Sequence, residues 1–223
     1  MNTALIVPSS SSCSGESELR ARLVLEPESV LTEEFMRYRN RLWRMVQFRL
    51  DPLVAARVDA DDVLQDAWIA ALRRVPHFIE NESMSMLVWL RLIVGQTIVD
   101  LHRHHLGAEM RDAYREVALP LASLSRSTSI SIAACLLDQL ASPSQLSIRQ
   151  EMSRQLESAI EGMDPIDREI LALRHFEELT NSEVAESLGI GQKAASIRYV
   201  RAVRRLKTIL HELPGYEDNV RDV

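Results

Sequence analysis

The basic side chains near the C-terminus have the types and spacing needed to bind a polyanion. From Gln192 to His211 the chain carries lysine and arginine but no acidic residue, so a helix here would present a basic face. Just before this run, Thr180 and Glu183 have the spacing of a capping box, in which both side chains accept from free N–H groups at a helix start. Gly189 stands where a helix commonly ends in a left-handed residue.

This pattern predicts a short helix, a glycine turn and a basic second helix over Thr180–Leu210. That is the helix-turn-helix arrangement, whose second helix enters the major groove of DNA. An ordinary helical hairpin with a solvated basic face is the competing interpretation.

A second cluster of charge is acidic and lies at another predicted helix start. Asp62 and Asp66 are one helical turn apart with Gln65 beside them, so the three side chains form one polar strip. A calcium loop would need alternating oxygen ligands, a turn glycine and a distal glutamate, and none of these follows. The strip is therefore either a solvated helix start, which the helix dipole favours, or a surface for docking a protein.

Histidines are the remaining candidates for chemistry. His102, His104 and His105 end a predicted helix, but no acidic or cysteine partner stands at metal-site spacing. The chain also lacks a glycine-rich phosphate loop, a nucleophile elbow and a cysteine–histidine pair with an orienting group. We therefore predict no catalytic residue, no metal, no cofactor and no enzymatic activity.

Composition narrows the class of protein. With 7 Gly and 8 Pro among 223 residues and 46% hydrophobic residues, the chain is typical of a largely helical globular protein. The net charge of −6 argues against a uniformly basic coat but is compatible with a local basic patch. No signal peptide and no run of about 18 apolar residues is present, so no membrane partner is expected. Cys13 and Cys135 lie in unlike contexts, which indicates neither a disulfide framework nor a zinc site, and the cytoplasm is the expected compartment.

The helices that must position these residues fall into two groups. Apolar residues recur at helical spacing from Leu31, with Thr32 as cap, to Asp51-Pro52 and again from Asp59 to Val75-Pro76. A loop over His77–Ser85 and a helix from about Met86 to His105 follow. A second group begins near Gln150, and Asp164-Pro165 supplies it with an N-cap and a helix-initiating proline.

The predicted fold class is all-α: two small helical domains joined by a flexible linker, with a C-terminal helix-turn-helix. The predicted divisions are a disordered N-terminal tail over 1–27, a first domain over 28–115, a linker over 116–149 with a short helix at Ile132–Leu140, a second domain over 150–212, and a C-terminal tail over 213–223.

Three stretches in order carry a family resemblance: DADDVLQDAWIAAL (Asp59–Leu72), WLRLIVGQTIVDLHRHH (Trp89–His105) and MDPIDREILALRHFEELTNSEVAESLGI (Met163–Ile190). They resemble the motifs of bacterial RNA polymerase sigma factors of the extracytoplasmic-function (ECF) group. The resemblance covers roughly Leu31–Arg115 and Leu156–Leu210. It implies that the first domain is sigma region 2 and the second is sigma region 4.

The resemblance also implies a role for each segment. The strip of Asp62, Gln65 and Asp66 would bind the β′ clamp helices of core RNA polymerase. The loop and the helix after it would hold the melted minus-ten strand of promoter DNA, and the helix-turn-helix would read the minus-thirty-five element while resting on the β flap. The residues implied for the minus-ten element are Trp89, Arg91, Gln96, Asp100 and Arg103. Those implied for the minus-thirty-five element are Gln192, Lys193, Ser196, Arg198, Arg201, Arg204 and Arg205.

Departures from the family pattern lie on both DNA-facing helices. Gln96 stands where the family usually has asparagine, while Ser196 and Ile197 occupy positions that often hold lysine or arginine and serine. Lys193, Ser196 and Arg201 are the best candidates for contacts to base edges. Arg198, Arg204 and Arg205 are expected to contact phosphates.

The resulting function prediction is a sigma factor that binds core RNA polymerase and directs promoter-specific initiation, including promoter recognition and melting. An anti-sigma factor is a further candidate partner. A free-standing helix-turn-helix regulator is the alternative, but it leaves the acidic strip and the Trp89 helix unexplained. A hydrolase built on the histidine cluster has no supporting constellation.

Overall fold

The structure, a computed structural model, describes residues 10–105, 125–140 and 146–212, and every regular element in these ranges is a helix. The elements are α1 (Ser10–Leu25), α2 (Pro27–Arg49), α3 (Pro52–Ala55), α4 (Ala60–Glu80), α5 (Met86–His105), α6 (Ser125–Leu140), α7 (Leu146–Glu161), α8 (Pro165–Leu171), a π-helical turn (Ala172–Phe176), α9 (Asn181–Leu188) and α10 (Gln192–Glu212). The all-α prediction is confirmed. The predicted C-terminal tail and much of the predicted linker lie outside the described residues.

The first domain is built on α2, α4 and α5, which share one apolar core. On α4 the side chains of Val63, Ala67 and Ala71 are fully buried at helical spacing. Small alanines let the helices approach closely, and α5 fills the remaining space with large apolar residues. This packing leaves the opposite face of α4, with its acidic strip, toward solvent.

The N-terminal segment differs from the prediction of a disordered tail, because Ser10–Leu25 forms α1. Leu23 is buried in the first core. The Arg20 guanidinium stacks 4.5 Å above the Phe78 ring and donates to the carbonyl oxygens of Asn81 (3.1 Å) and Met84 (2.6 Å). These partners are about sixty positions away in the chain, so serine-rich composition alone did not reveal them.

The predicted cap at Thr32 is wrong. Helix α2 begins at Pro27, whose fixed φ suits a first helical position. The Thr32 hydroxyl instead donates to the carbonyl oxygen of Glu28, 2.7 Å away and one turn earlier. Thr32 is therefore an interior helix residue with a satisfied hydroxyl.

The predicted stop at Val75-Pro76 is also wrong, because α4 continues through Pro76 to Glu80. A proline in a helix interior removes one hydrogen bond and usually breaks the helix. Here the extra turn buries Phe78 against Trp89, with ring centroids 4.8 Å apart. Burial of an aromatic ring offsets the lost bond, and the loop before α5 shortens to residues 81–85.

The second domain ends in the predicted helix-turn-helix. The Thr180 hydroxyl accepts from the Glu183 N–H (3.3 Å), and the Glu183 carboxylate accepts from the Thr180 N–H (2.7 Å). Gly189 closes α9 with a φ of +63°, the left-handed region that favours glycine. Local capping thus sets the turn that positions α10.

The segment between the domains contains more structure than the linker prediction allowed. Helix α6 covers the 16 residues Ser125–Leu140, so it begins seven residues before the predicted short helix at Ile132–Leu140. Ile132, Ala133 and Leu137 are buried in the core of the second domain. Helix α6 is therefore part of that domain's packing.

Candidate functional site

Helix α10 presents the predicted DNA-reading residues on its surface. Ala195, Ala202 and Ile209 form its buried seam against the rest of the second domain. The residues on its outward side are exposed, with Arg198 partly covered. The seven predicted residues on this helix are Gln192, Lys193, Ser196, Arg198, Arg201, Arg204 and Arg205.

Two of these arginines are held by an acidic residue of the same domain. The Arg201 guanidinium donates twice to the Asp167 carboxylate, at 2.7 and 2.8 Å. Arg198 donates to the same carboxylate at 2.9 Å and to Asp164 at 3.3 Å. Asp164 also caps α8, and although burial opposes it, the backbone N–H groups and Arg198 lower the pKa of its carboxyl. Asp167 therefore neutralises part of the basic face and orients both arginines.

The other cations of α10 are open to solvent. Lys193, Arg204 and Arg205 are exposed and form no ion pair with any other residue that the structure describes. They stand at both ends of the helix face, where a phosphate backbone would pass on either side.

The acidic strip lies on the outer face of α4. Asp62, Gln65 and Asp66 are exposed, and Asp62 and Asp66 form no ion pair within the described ranges. The neighbouring Asp61 is instead bound to Arg39 of α2, 2.6 Å away.

An apolar groove between α2 and α4 borders this strip. Phe35 and Met36 line it from α2, while Leu64 and Trp68 line it from α4, with Gln65 at its edge. Met36 is largely exposed. The charged side chains that line this groove are Arg39 and Asp61, which pair with each other, and the unpaired carboxylates of the strip are not among its lining residues. An apolar groove next to an exposed acidic strip is the form expected of a protein-docking surface.

Three of the five predicted minus-ten residues form one row on α5, in which Asp100 and Arg103 are exposed and Gln96 is half-buried. The Gln96 amide donates to the Asp100 carboxylate at 3.1 Å, and Arg103 approaches the same carboxylate at 3.6 Å. The spacing of four and three residues places these side chains on one side of the helix. Such a row offers amide and guanidinium donors, together with one acceptor, to a ligand lying along α5.

The other two predicted minus-ten residues, Trp89 and Arg91, are not on this surface. Trp89 is 8% exposed and packs on Phe78 inside the first core. Arg91 is 2% exposed and faces the second domain. In this arrangement neither side chain is available to DNA, because apolar packing buries one and ion pairing buries the other.

A buried ionic cluster joins the two domains around Arg91. Arg49 of α2 donates to Glu177 (2.5 Å) and to Glu169 (2.6 Å), and Arg91 donates to the same two carboxylates at 2.6 and 3.0 Å. All four side chains are buried. Burial alone would raise the pKa of Glu177, but Arg49 and Arg91 outweigh it and lower this pKa to about 2. The carboxylates of Glu169 and Glu177 raise the pKa of Arg49 despite its burial, so Arg49 and Glu177 stay charged.

Contacts around this ionic cluster extend the domain interface to the helix-turn-helix. Arg41 of α2 donates twice to the capping-box residue Glu183, at 3.0 and 2.7 Å. The backbone N–H and hydroxyl of Ser85 donate to Glu186 of α9, at 2.5 and 2.9 Å. The loop before α5, which the resemblance assigns to the minus-ten element, is therefore in contact with α9.

The histidine cluster does not form a metal site with any of the residues that the structure describes. His102 is fully buried, and its Nε2 accepts from the Asp51 N–H at 3.1 Å. Burial lowers the pKa of its imidazole, so this histidine is neutral rather than a cation at the helix end. Among the described residues, no group of three histidine, cysteine or carboxylate side chains is placed to hold a metal ion. Nor does any helix in these ranges have the length and apolar character of a membrane span.

Sequence reasoning missed the ionic cluster and the pairing of Asp167. The members of the cluster are up to 128 positions apart, so no motif or period connects them. Arg49 and Arg91 each lie in a run of apolar core residues, which was the one available sign that they are buried and paired.

Comparison with known proteins agrees with this geometry. The family model "Sigma-70 region 2" matches residues 35–106, on the first domain, and "Sigma-70, region 4" matches residues 159–208, on the second. Together the matches span more than half of the chain, in the order of the two domains. The chain therefore belongs to the sigma-70 family of RNA polymerase sigma factors. Within that family it is a sigma factor of the extracytoplasmic-function group, as the resemblance predicted.

The similar proteins include the ECF RNA polymerase sigma factor SigD of Mycobacterium bovis (strain ATCC BAA-935 / AF2122/97) and that of Mycobacterium tuberculosis (strain ATCC 25618 / H37Rv). Each is 25% identical over 187 residues, which cover 84% of this chain and 80% of the relative. Among solved structures, CnrH in complex with the cytosolic domain of CnrY has a TM-score of 0.49 and 21% identity, over 88% of this chain and 97% of CnrH.

Proposed function

We propose that this chain binds core RNA polymerase and directs promoter-specific initiation of transcription, including recognition and opening of the promoter. The observation that carries the proposal is the presence, on one chain and in family order, of an unpaired acidic strip on α4 and a helix-turn-helix whose second helix is basic. The proposal assigns no catalytic step to this subunit. A polymerase subunit acts where the chromosome is, so the proposal implies a cytoplasmic protein.

Docking to polymerase is assigned to the outer face of α4. Asp62, Gln65 and Asp66 would contact the β′ clamp helices, and the adjoining groove would accept an apolar side chain. The support is that these carboxylates are exposed and lack cationic partners in the described ranges. Exposed carboxylates without cationic partners favour a complementary basic partner and raise the association rate.

Promoter contacts are divided between α5 and α10. The row of Gln96, Asp100 and Arg103 would hold the melted minus-ten strand, for which amide and guanidinium groups are suitable partners. Helix α10 would read the minus-thirty-five duplex while its domain rests on the β flap. Trp89 is better placed to support α5 than to contact DNA, since its ring lies in the core.

We extend the proposal to an anti-sigma factor as a partner. A protein that covered the α4 strip would compete with polymerase for the same side chains. Its surface there would be basic and would carry an apolar anchor for the adjoining groove.

In vitro transcription with purified core polymerase and genomic promoter fragments tests the function. We expect tight binding to core, defined transcripts and weak binding of the isolated chain to duplex DNA. If the chain fails to bind core, yields no defined transcript and binds duplex DNA alone in the nanomolar range, it is a free-standing regulator instead.

A double variant tests the docking surface. Asp62→Ala with Gln65→Ala should weaken binding to core about tenfold or more, because two central interface residues are removed. The matched control is Glu151→Ala with Gln155→Ala, an exposed acidic–amide pair four residues apart on α7. Equal core affinity for the two double variants, measured by fluorescence anisotropy, would remove the α4 assignment.

A further inference from the structure

The outward face of α10 is apolar at its centre. Ile197 is 60% exposed and Val200 is 46% exposed. The two side chains are three residues apart, so they stand side by side on one face. Together with Ser196, Arg201 and Arg204 they line a shallow, open groove along the helix. An exposed apolar pair in the middle of a functional face indicates a ligand with an apolar group of its own.

The charges around this apolar pair indicate what kind of ligand it meets. Lys193 lies one turn before Ile197, and Arg204 and Arg205 lie one turn after Val200. All three cations are exposed and unpaired within the described part of the chain. Cations on both sides of a recognition helix bind the two phosphate backbones that flank a major groove. The apolar centre then faces the base edges.

Only one base presents an apolar group in the major groove, namely thymine with its C5 methyl. The alternative is recognition of guanine by an arginine, and the nearest candidate is Arg201. Two hydrogen bonds of 2.7 and 2.8 Å hold that guanidinium on Asp167, which is nearly buried and faces it from α8. Direct recognition of a base by Arg201 would require breaking this bidentate pair.

We propose that Ile197 and Val200 read thymine methyl groups in the upstream promoter element. The inference rests on the proposed function, since it assumes that α10 lies in the major groove of that element. Specificity at the thymine positions would then depend on apolar contact, while Lys193, Arg204 and Arg205 would supply affinity and fix the position of α10 on the DNA.

Replacement of thymine by deoxyuridine tests this directly, because it removes the C5 methyl and leaves base pairing intact. The holoenzyme is first assembled from core polymerase and the full chain. DNA fragments randomised in the minus-thirty-five region are then selected for binding to this holoenzyme. Each selected thymine, on either strand, is then replaced by deoxyuridine one position at a time. Competition with the unmodified fragment measures the affinity of the holoenzyme for each modified fragment. Burial of one methyl-sized group predicts that one or two replacements weaken binding by about fourfold.

The variants assign the effect to the side chains. Ile197→Ala should abolish the difference between thymine and deoxyuridine at one position, and Val200→Ala should abolish it at a neighbouring position. Ile166→Ala, which truncates an exposed isoleucine of the same domain outside α10, should keep both differences. Both substituted residues are exposed, and thermal unfolding followed by circular dichroism checks that each variant is folded.

Three results would overturn the inference. They are a selected element without thymine, wild-type holoenzyme that binds both bases equally at every position, and variants at 197 and 200 that keep the fourfold difference. Failure of the proposed function has a different signature, since the chain would then bind no core polymerase at the first step.

Discussion

The buried ionic cluster makes one prediction that can be worked through in free energy. Glu177→Gln removes one of two carboxylates that neutralise Arg49 and Arg91, and leaves two buried guanidinium groups facing Glu169 alone. Because glutamine is nearly the same size, packing is preserved and charge is the main change. The variant therefore measures what the Glu177 charge contributes to closure of the two domains.

The free-energy cost of Glu177→Gln can be obtained in two ways, which give the same magnitude. The fall in the pKa of Glu177 from 4.5 to about 2 corresponds to about 3 kcal/mol of stability. Breaking a buried ion pair by removing one partner typically costs about 3–5 kcal/mol. We expect the variant to lose about 3 kcal/mol at pH 7.

The sign of the pH dependence follows from the lowered pKa. Glu177 contributes its full stability above the unfolded-state pKa of 4.5 and loses it as pH falls through the folded-state value of about 2. The difference between wild type and Glu177→Gln should therefore shrink from pH 4.5 downward.

Urea unfolding followed by circular dichroism measures the free energy, and small-angle X-ray scattering reports whether the domains separate. The matched control is Glu178→Gln, which changes the adjacent glutamate, exposed and paired with Arg44. That exposed pair should contribute no more than about 1 kcal/mol. The reasoning is refuted if the two variants cost the same, or if Glu177→Gln costs less than about 1 kcal/mol with unchanged scattering.

Three further perturbations have defined outcomes. Gly189→Ala should lower the midpoint of thermal unfolding by about 2–4 °C, because a side chain in the left-handed region costs about 1 kcal/mol. Asp167→Asn should raise the affinity for nonspecific duplex DNA and steepen its salt dependence by about one phosphate contact, since it releases Arg201 from its bidentate pair while Arg198 keeps its bond to Asp164. Fluorescence anisotropy at several salt concentrations measures both the affinity and its salt dependence. Burial lowers the pKa of His102 from its usual 6.5, so the unfolded chain takes up a proton on this imidazole at a higher pH than the folded chain does. The free energy of unfolding should therefore fall as pH drops from 7 to 5, which urea titrations measure.

Each of these predictions has a control within the chain. Gly191→Ala should leave the melting midpoint unchanged, because a Cβ there meets nothing within 4 Å and no left-handed backbone is involved. Glu161→Gln changes an exposed charge of the second domain and should leave the salt dependence nearly unaltered. His77→Gln removes an exposed histidine and should keep the pH dependence, whereas His102→Gln should reduce it. If a control variant shows the predicted change and its test variant does not, the role given to the tested residue is wrong.

The features that the sequence determined by itself depend on interactions between residues close together in the chain. The helix-turn-helix follows from Thr180, Glu183 and Gly189, all of which act within a few residues of their own position. The period of apolar residues likewise predicts α5 from Met86 to His105, its observed bounds. Family motifs on these same helices were sufficient to identify the class of protein.

Tertiary structure decided the features that depend on distant partners. Phe78 keeps α4 helical past a proline because its ring packs on Trp89, and Leu23 holds an N-terminal helix because it reaches the same core. Arg91 lies on a helix predicted to face DNA, yet Glu169 and Glu177 bury it at the domain interface. A charged side chain is equally compatible with solvent, DNA or a buried partner, and only the fold brings the competing charges within hydrogen-bonding distance.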